Sequence, residues 1–342
     1  MDLAELRTDP PPQDAQAQWA VLAVAAGATG AAPFPGRPAA RAGKASGRAA
    51  ALIHEARAAQ ARGAHARAGV LLTEAIERTR QRGAERDRAL AVAMLGVSLW
   101  HGPEPAAVAI ERILGLLDRH GAELPEVVAA LNGPLAVLWA MRERRDASRA
   151  CLAVVRRAAA RPGPPGAAAM AALFAAWAAE GAGPAPHAPA SALPRLAASA
   201  GVLGPVWARS AARLLLDANR PEQAALRLFA VKSGGGPASA AAAPALADLN
   251  GLRARIAAAR GHTARAAALA DRAVAAAATT DSRTVLAVAL LDRADVARRC
   301  GRPAEARYSA AMAGHSFALK GHLTGAGRAA ALHASVMPPE CP

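Results

Sequence analysis

The sequence predicts an all-α chain, a right-handed superhelix (α-solenoid) of about seven helical hairpins. Three observations carry that expectation. Of 342 residues, 103 are Ala, the residue with the highest helix propensity, while strand-favouring Val, Ile and Thr are scarce. Ala supplies more than half of the 53% hydrophobic fraction, and only 5 Trp, 4 Phe and 1 Tyr accompany it. That is thin for one large core, and it suits many helices packed closely through small side chains. Tight turns recur at spacings of 36 to 43 residues, the mark of stacked units that each bury too little to fold alone.

The elements follow in order. Residues 1–27 are expected to form a short helix over the apolar stretch that begins at Trp19. Asp2, Glu5, Asp9 and Asp14 precede it against a lone Arg7, the wrong charge for a secretory leader. Residues 28–48, rich in Pro, Gly and Ala with scattered Arg, read as a linker. Hairpins 1–3 occupy 49–180 and turn at Gly63, Gly102 and Arg145. A Pro-rich irregular unit with Pro184, Pro186, Pro189 and Pro194 follows at 181–200, its turn at Gly181. Hairpins 5–7 and a closing helix fill 201–334, with turns at Asn219, Gly261 and Gly301. Residues 232–244 give a flexible connection inside that block, and 335–342 form a tail.

Fixed offsets from the turns support the repeat. Five residues after each turn stand Ala68, Ala107, Ala150, Pro186, Ala224, Ala266 and Ala306. Two helices that meet at a tight turn need a small residue at closest approach. Seven before each turn stand Ala56, Leu95, Leu138, Phe174, Ala212, Ala254 and Ala294, all apolar. Pro221 and Pro303 suit the first turn of a second helix, where no amide donor is missed.

The net charge is +15, with 38 of 41 basic residues Arg. These Arg are spread among Asp and Glu along helices rather than gathered in a tail, so nucleic-acid binding is disfavoured. Cys151, Cys300 and Cys341 are distant and odd in number, which argues against a disulfide scaffold and fits a reducing cytoplasm. No membrane span is expected.

No motif for chemistry is complete. A phosphate loop ends in Gly-Lys-Ser/Thr, but Gly43-Lys44 is followed by Ala45, and Pro38 stands where the first Gly belongs. His54-Glu55 begins a zinc-protease motif whose second His is replaced by Ala58. A metal site needs three or four convergent ligands, and the nine His are dispersed. No catalytic residue, cofactor or metal is therefore expected.

The period and the small residues at the turns resemble tetratricopeptide-type repeats. Over residues 285–332 the likeness is more specific. Arg293-Ala294, the run Gly301-Arg302-Pro303-Ala304-Glu305-Ala306, Ala313 and Lys320-Gly321 with Gly325, Ala326 and Arg328 resemble the last repeats of large actinobacterial regulatory ATPases. Those are of the LuxR-like and adenylate-cyclase-associated kinds. The ATPase part has no counterpart in this sequence.

The resemblance implies that the first helix of each hairpin lines a concave face. Arg57, Arg142, Arg213, Arg255 and Arg298 then fall at inward offsets and would form a partner groove, a ladder for another protein's acidic segment, since guanidinium forks grip carboxylates bidentately. The alternative is a solvated face of Arg-rich helices. The expected function is a non-catalytic interaction scaffold or sensor module in bacterial regulation. The alternatives are a DNA-associated transcriptional regulator, which needs a recognition helix that no segment resembles, and an enzyme on a helical scaffold.

Overall fold

A computed structural model describes residues 44–80, 84–160, 167–181, 204–232 and 243–336. Fourteen helices account for 86% of them, and none of these residues is in a strand. Along the chain they are α1 (Lys44–Ala61), α2 (His65–Arg78), α3 (Glu85–His101), α4 (Ala106–His120), α5 (Pro125–Met141), α6 (Arg145–Ala159), α7 (Ala167–Gly181), α8 (Gly204–Asp217), α9 (Pro221–Lys232), α10 (Ala243–Ala259), α11 (Thr263–Ala278), α12 (Arg283–Arg299), α13 (Pro303–Lys320) and α14 (Leu323–Ser335). The expected N-terminal helix, nearly all of the Pro-rich unit, the centre of the 232–244 connection and the end of the tail lie outside the described residues. α1 begins at Lys44, inside the stretch expected as linker.

Neighbouring helices pack as antiparallel pairs into a solenoid-like array. Turns fall at Gly63, Gly102, Gly261 and Gly301 as the spacing predicts. Six turns place one residue in the left-handed region: Gly63, Glu143, Asn219, Gly261, Gly301 and Gly321. There the backbone reverses in about three residues, and Gly meets no Cβ penalty.

The offsets explain how the pairs close. All seven residues placed seven before a turn are buried, from Ala56 to Ala294. The residue five after the left-handed position is buried and small in Ala68, Ser148, Ala224, Ala266 and Ala306. Two turns depart from the expected register. The third pivots on Glu143 rather than Arg145, so Ser148 takes the contact and Ala150 is exposed. The second has Gly102 at φ −66° and ψ 175°, a bend over Gly102–Glu104 and an extended Pro105 before α4, so Ala106 is buried in place of Ala107.

The array closes on itself. α12 packs on α3, and α14 packs on α5. The Asp281 amide donates to the Gly63 carbonyl at 3.0 Å, and its carboxylate accepts from the Ala66 amide at 2.7 Å. A Cβ on Gly63 would come within 2.6 Å of Thr280, so Gly63 serves both the turn and this contact. Lys320, fully buried at the end of α13, donates to the carbonyls of Gly102 (2.7 Å), Glu104 (2.8 Å) and Leu99 (3.4 Å). The last residues of a helix leave carbonyls without partners, and Lys320 supplies them at the end of α3. Arg283 adds a bond to the Pro103 carbonyl. The first and last pairs thus meet, and the first helices α1, α3, α5, α7, α8, α10, α12 and α14 face one central space.

Candidate functional site

That central space is a cavity of about 570 Å³ lined by residues from both halves of the ring. One wall is apolar and aromatic. Trp100 of α3 and Trp177 of α7 lie with ring centroids 5.0 Å apart, and Phe174 meets Trp177 edge-on at 5.4 Å. Trp177 Nε1 donates to Ser210 Oγ at 3.0 Å, which fixes the indole. Val97, Val137 and Met141 extend this wall.

The adjoining part of the lining, from Ser210's helix onward, is ionic. Arg213 on α8 forks onto Asp292 with two contacts of 3.1 Å and reaches Asp248 at 2.6 Å. Arg209, one turn earlier, also holds Asp248 at 3.1 Å. Arg255 on α10 pairs with Asp217 at 2.9 Å and with Asp292 at 3.5 Å, and Arg328 on α14 closes the set onto Asp217 at 3.2 Å. Four helices are tied together by these side chains. The Asp292 carboxylate fits because α10 carries Gly251, where a Cβ would stand 2.6 Å from Asp292 Oδ2.

Burial works against the charge on Arg213, Arg255 and Asp217, and the partners overcome it. Arg213 is desolvated, yet Asp292 and Asp248 hold its guanidinium well above the usual range. Asp217 is likewise desolvated, yet Arg255 and Arg328 keep its carboxyl below the usual value. Glu180 at the end of α7 is different. Burial pushes it up to about 8, with Arg213 opposing and Asp248 reinforcing the shift. Its Oε1 is buried and accepts no hydrogen bond. Thr284 Oγ1 and His65 Nδ1 are also buried without a partner, and all three residues line the cavity. Arg255 Nε, also on the lining, is a fourth buried atom without a hydrogen bond. Buried polar atoms are normally satisfied, so these orphans around one space mark where a ligand's polar groups would fit.

The five predicted arginines are not one row. Arg213 and Arg255 come together on the cavity wall, already matched by Asp217, Asp248, Asp292 and Asp295. Arg298 is 39% exposed and paired with Asp295. Arg142 sits beside the closing turn at Gly321, and Arg57 is half-buried on α1. None of these three lines the cavity. The inner face is therefore a balanced network rather than a bare basic ladder. One of the aspartates was visible in the sequence: Asp295 falls six residues before its turn, the offset of Arg57, Arg213 and Arg255 before theirs. The orphan Glu180 and the Trp100–Trp177 pair carried no sequence signal, because Trp100 and Trp177 are 77 residues apart and become neighbours only when α3, α5 and α7 stack.

Among the described residues no group of His, Cys, Asp and Glu could hold a metal ion, and no helix is long and apolar enough to cross a membrane. Compared with known proteins, the chain matches no family model and no curated relative.

Proposed function

We propose that the chain is a non-catalytic sensor module of a bacterial regulatory system, and that its input is a small amphipathic molecule held in the central cavity. The carrying observation is the cavity itself. It combines an aromatic wall at Trp100 and Trp177, a self-neutralised ionic wall, and unpartnered polar atoms on Glu180, Thr284 and His65. Ligand sites are commonly mainly apolar, with a few convergent polar groups. The regulatory assignment rests on the likeness of residues 285–332 to the closing repeats of actinobacterial regulators. The ring geometry gives sensing a physical route, since a ligand that touches α3, α7 and α10 together favours the closed array over any opened one.

Native mass spectrometry of the chain incubated with a small-molecule fraction from bacterial cells tests this reading. The expected result is a discrete adduct on the wild type that disappears in Ala245→Trp, which fills the cavity. The adduct should also raise the melting temperature by mass action. Neither adduct nor thermal shift from such a fraction would overturn the reading.

A further inference from the structure

A second concavity, of about 600 Å³, opens on the outside of the ring between α9, α10 and α11. α10 divides the two spaces. Successive helical residues turn by about 100°, which sends Asp248 and Arg255 to the cavity and Asn250, Arg253, Ala257 and Arg260 to the outer groove. The groove floor is apolar, built from Leu228, Ile256 and Leu269. Its rim is basic, carrying Arg253, Arg260, Arg265 and Arg272.

Among the described residues, only Arg260 of these four has a carboxylate, Glu222, at 2.5 and 3.0 Å. Arg253 is half-buried, and Arg265 and Arg272 stand exposed two helical turns apart on α11. Beside them Phe229 is 72% exposed, as is Leu226 on the same helix. An apolar floor under an excess of guanidinium groups is the complement of an acidic segment with an apolar anchor.

We propose that this groove docks an acidic segment of a partner protein, its aliphatic or aromatic side chain on the Leu228–Ile256–Leu269 floor and its carboxylates against Arg253, Arg265 and Arg272. Charge selects the occupant. A second copy of this chain would bring a further net charge of +15 to a basic rim. A nucleic acid would meet the arginines through phosphate but leave the apolar floor and Phe229 without a complementary surface. Guanidinium forks on a rigid helix hold carboxylates at fixed spacing, and an anchored apolar side chain supplies the desolvated centre that ion pairs at a rim lack. The proposal rests on the reading of the chain as a regulatory interaction module, but not on what fills the cavity.

Short randomised peptides displayed on phage, selected on the full chain, provide the probe. Enriched peptides are then measured by fluorescence anisotropy. The variants are R265E/R272E, in which both positions are exposed, Phe229→Ala, and a control R149E/R156E on α6, where both positions are also exposed. The selected peptides should pair Asp or Glu with a large apolar residue. R265E/R272E should weaken binding by about tenfold, as expected when two favourable pairs become repulsive. Phe229→Ala should weaken it several-fold, the control should change it little, and duplex DNA should not compete. Helical content by circular dichroism should be the same in all four proteins. Four results would each overturn the proposal: selected peptides without acidic bias, equal binding to R265E/R272E, an equal loss in the control, or displacement by duplex DNA. A cavity adduct that persists in R265E/R272E keeps the two readings separate, because the groove can fail while the cavity stands.

Discussion

Helices α1–α7 share one continuous apolar core in which Met94, Leu131, Leu138, Met170 and Phe174 are shut off from solvent. Helices α8–α14 bury mainly Ala, in several small clusters, and their first helices are joined by Arg213, Arg255, Asp217, Asp248 and Asp292. Among the described residues beyond α7, the largest fully buried side chain is Lys320, and it is a polar clasp. The same helical-hairpin plan is thus stabilised in two ways. In the first half dispersion and burial of large side chains dominate. In the second half Ala lets backbones approach closely, and orientation comes from directional charge contacts. Buried ion pairs add less net stability than apolar residues of similar volume, but losing one partner is severe.

The largest expected effects set these two modes against each other. Asp292→Ala leaves Arg213 and Arg255 facing each other without their shared carboxylate, and should cost about 3–5 kcal/mol by urea unfolding. Phe174→Ala in the first half should cost a similar ~3–5 kcal/mol by opening a void. The distinction lies in rescue. Adding Arg213→Met and Arg255→Met to Asp292→Leu should recover most of the loss, since the two guanidiniums left without their shared carboxylate are removed with it, while Asp248 and Asp217 keep Arg209 and Arg328. No second substitution at a neighbouring core position should repair Phe174→Ala without refilling volume. Failure of the triple replacement to recover stability would show that the network gives more than orientation.

The clasp comes next. Lys320→Met keeps the stem and removes the ammonium from the carbonyls of Leu99, Gly102 and Glu104, for an expected cost of about 1–3 kcal/mol. The effect should be local. Amide exchange should rise around the α3–α4 turn and α13 while α6 is unchanged. Uniform loosening, or none, would mean that ring closure does not depend on this side chain.

Much of this architecture could be read in the chain, and the exceptions have identifiable causes. Gly63, Gly261 and Gly301 announced their turns because Gly adopts the left-handed region freely. Glu143 did not, since a non-Gly residue there is uncommon, and that shifted one unit by two residues. The inward placement of Arg213 and Arg255 followed from the repeat. What hid their pairing is that the partners lie on other hairpins: Asp248 is 35 residues from Arg213, and Asp292 is 79. Ring closure and the clasp join positions more than 200 residues apart in the sequence, beyond the reach of any local pattern.

A pH profile sharpens the comparison at smaller scale. Burial raises Glu180 from 4.5 to about 8, so the folded chain keeps a proton that the unfolded chain gives up, and stability falls as pH rises through that window. Burial lowers His65 and His322 from 6.5 to about 4. There the unfolded chain holds the extra protons, and stability rises with pH. His322 Nδ1 accepts the Gly325 amide at the start of α14, a bond that needs the neutral ring. Burial lowers His101 and His120 as well, so the histidines together outweigh Glu180 on the acid side, and above neutral pH Glu180 dominates until Lys320, lowered by burial to about 8, begins to reverse the slope. Thermal unfolding across pH should therefore show a maximum near neutral pH and a decline towards 8 of up to about 1.4 kcal/mol per pH unit. Glu180→Gln should flatten the decline and leave the acid limb intact. A decline that survives this substitution would place its cause elsewhere.

The smallest expected effect isolates burial from chemistry. Arg78 and Glu74 on α2 form an i,i+4 pair at 2.7 Å with side chains 38% and 42% exposed. Arg255 and Asp217 make nearly the same contact at 2.9 Å with side chains 9% and 17% exposed. If contact geometry set the energy, Arg78→Ala and Arg255→Ala would cost alike. On α2 water solvates both groups before and after the change, so Arg78→Ala should cost only about 0.3–0.5 kcal/mol and lose even that at high salt. Arg255→Ala strips Asp217 and Asp292 of a partner in a place that water reaches poorly, so its cost should be several times larger and nearly independent of salt. Equal costs for the two substitutions, or equal salt dependence, would show that the second half of the ring is wetter than its packing implies and that its ion network is a surface feature.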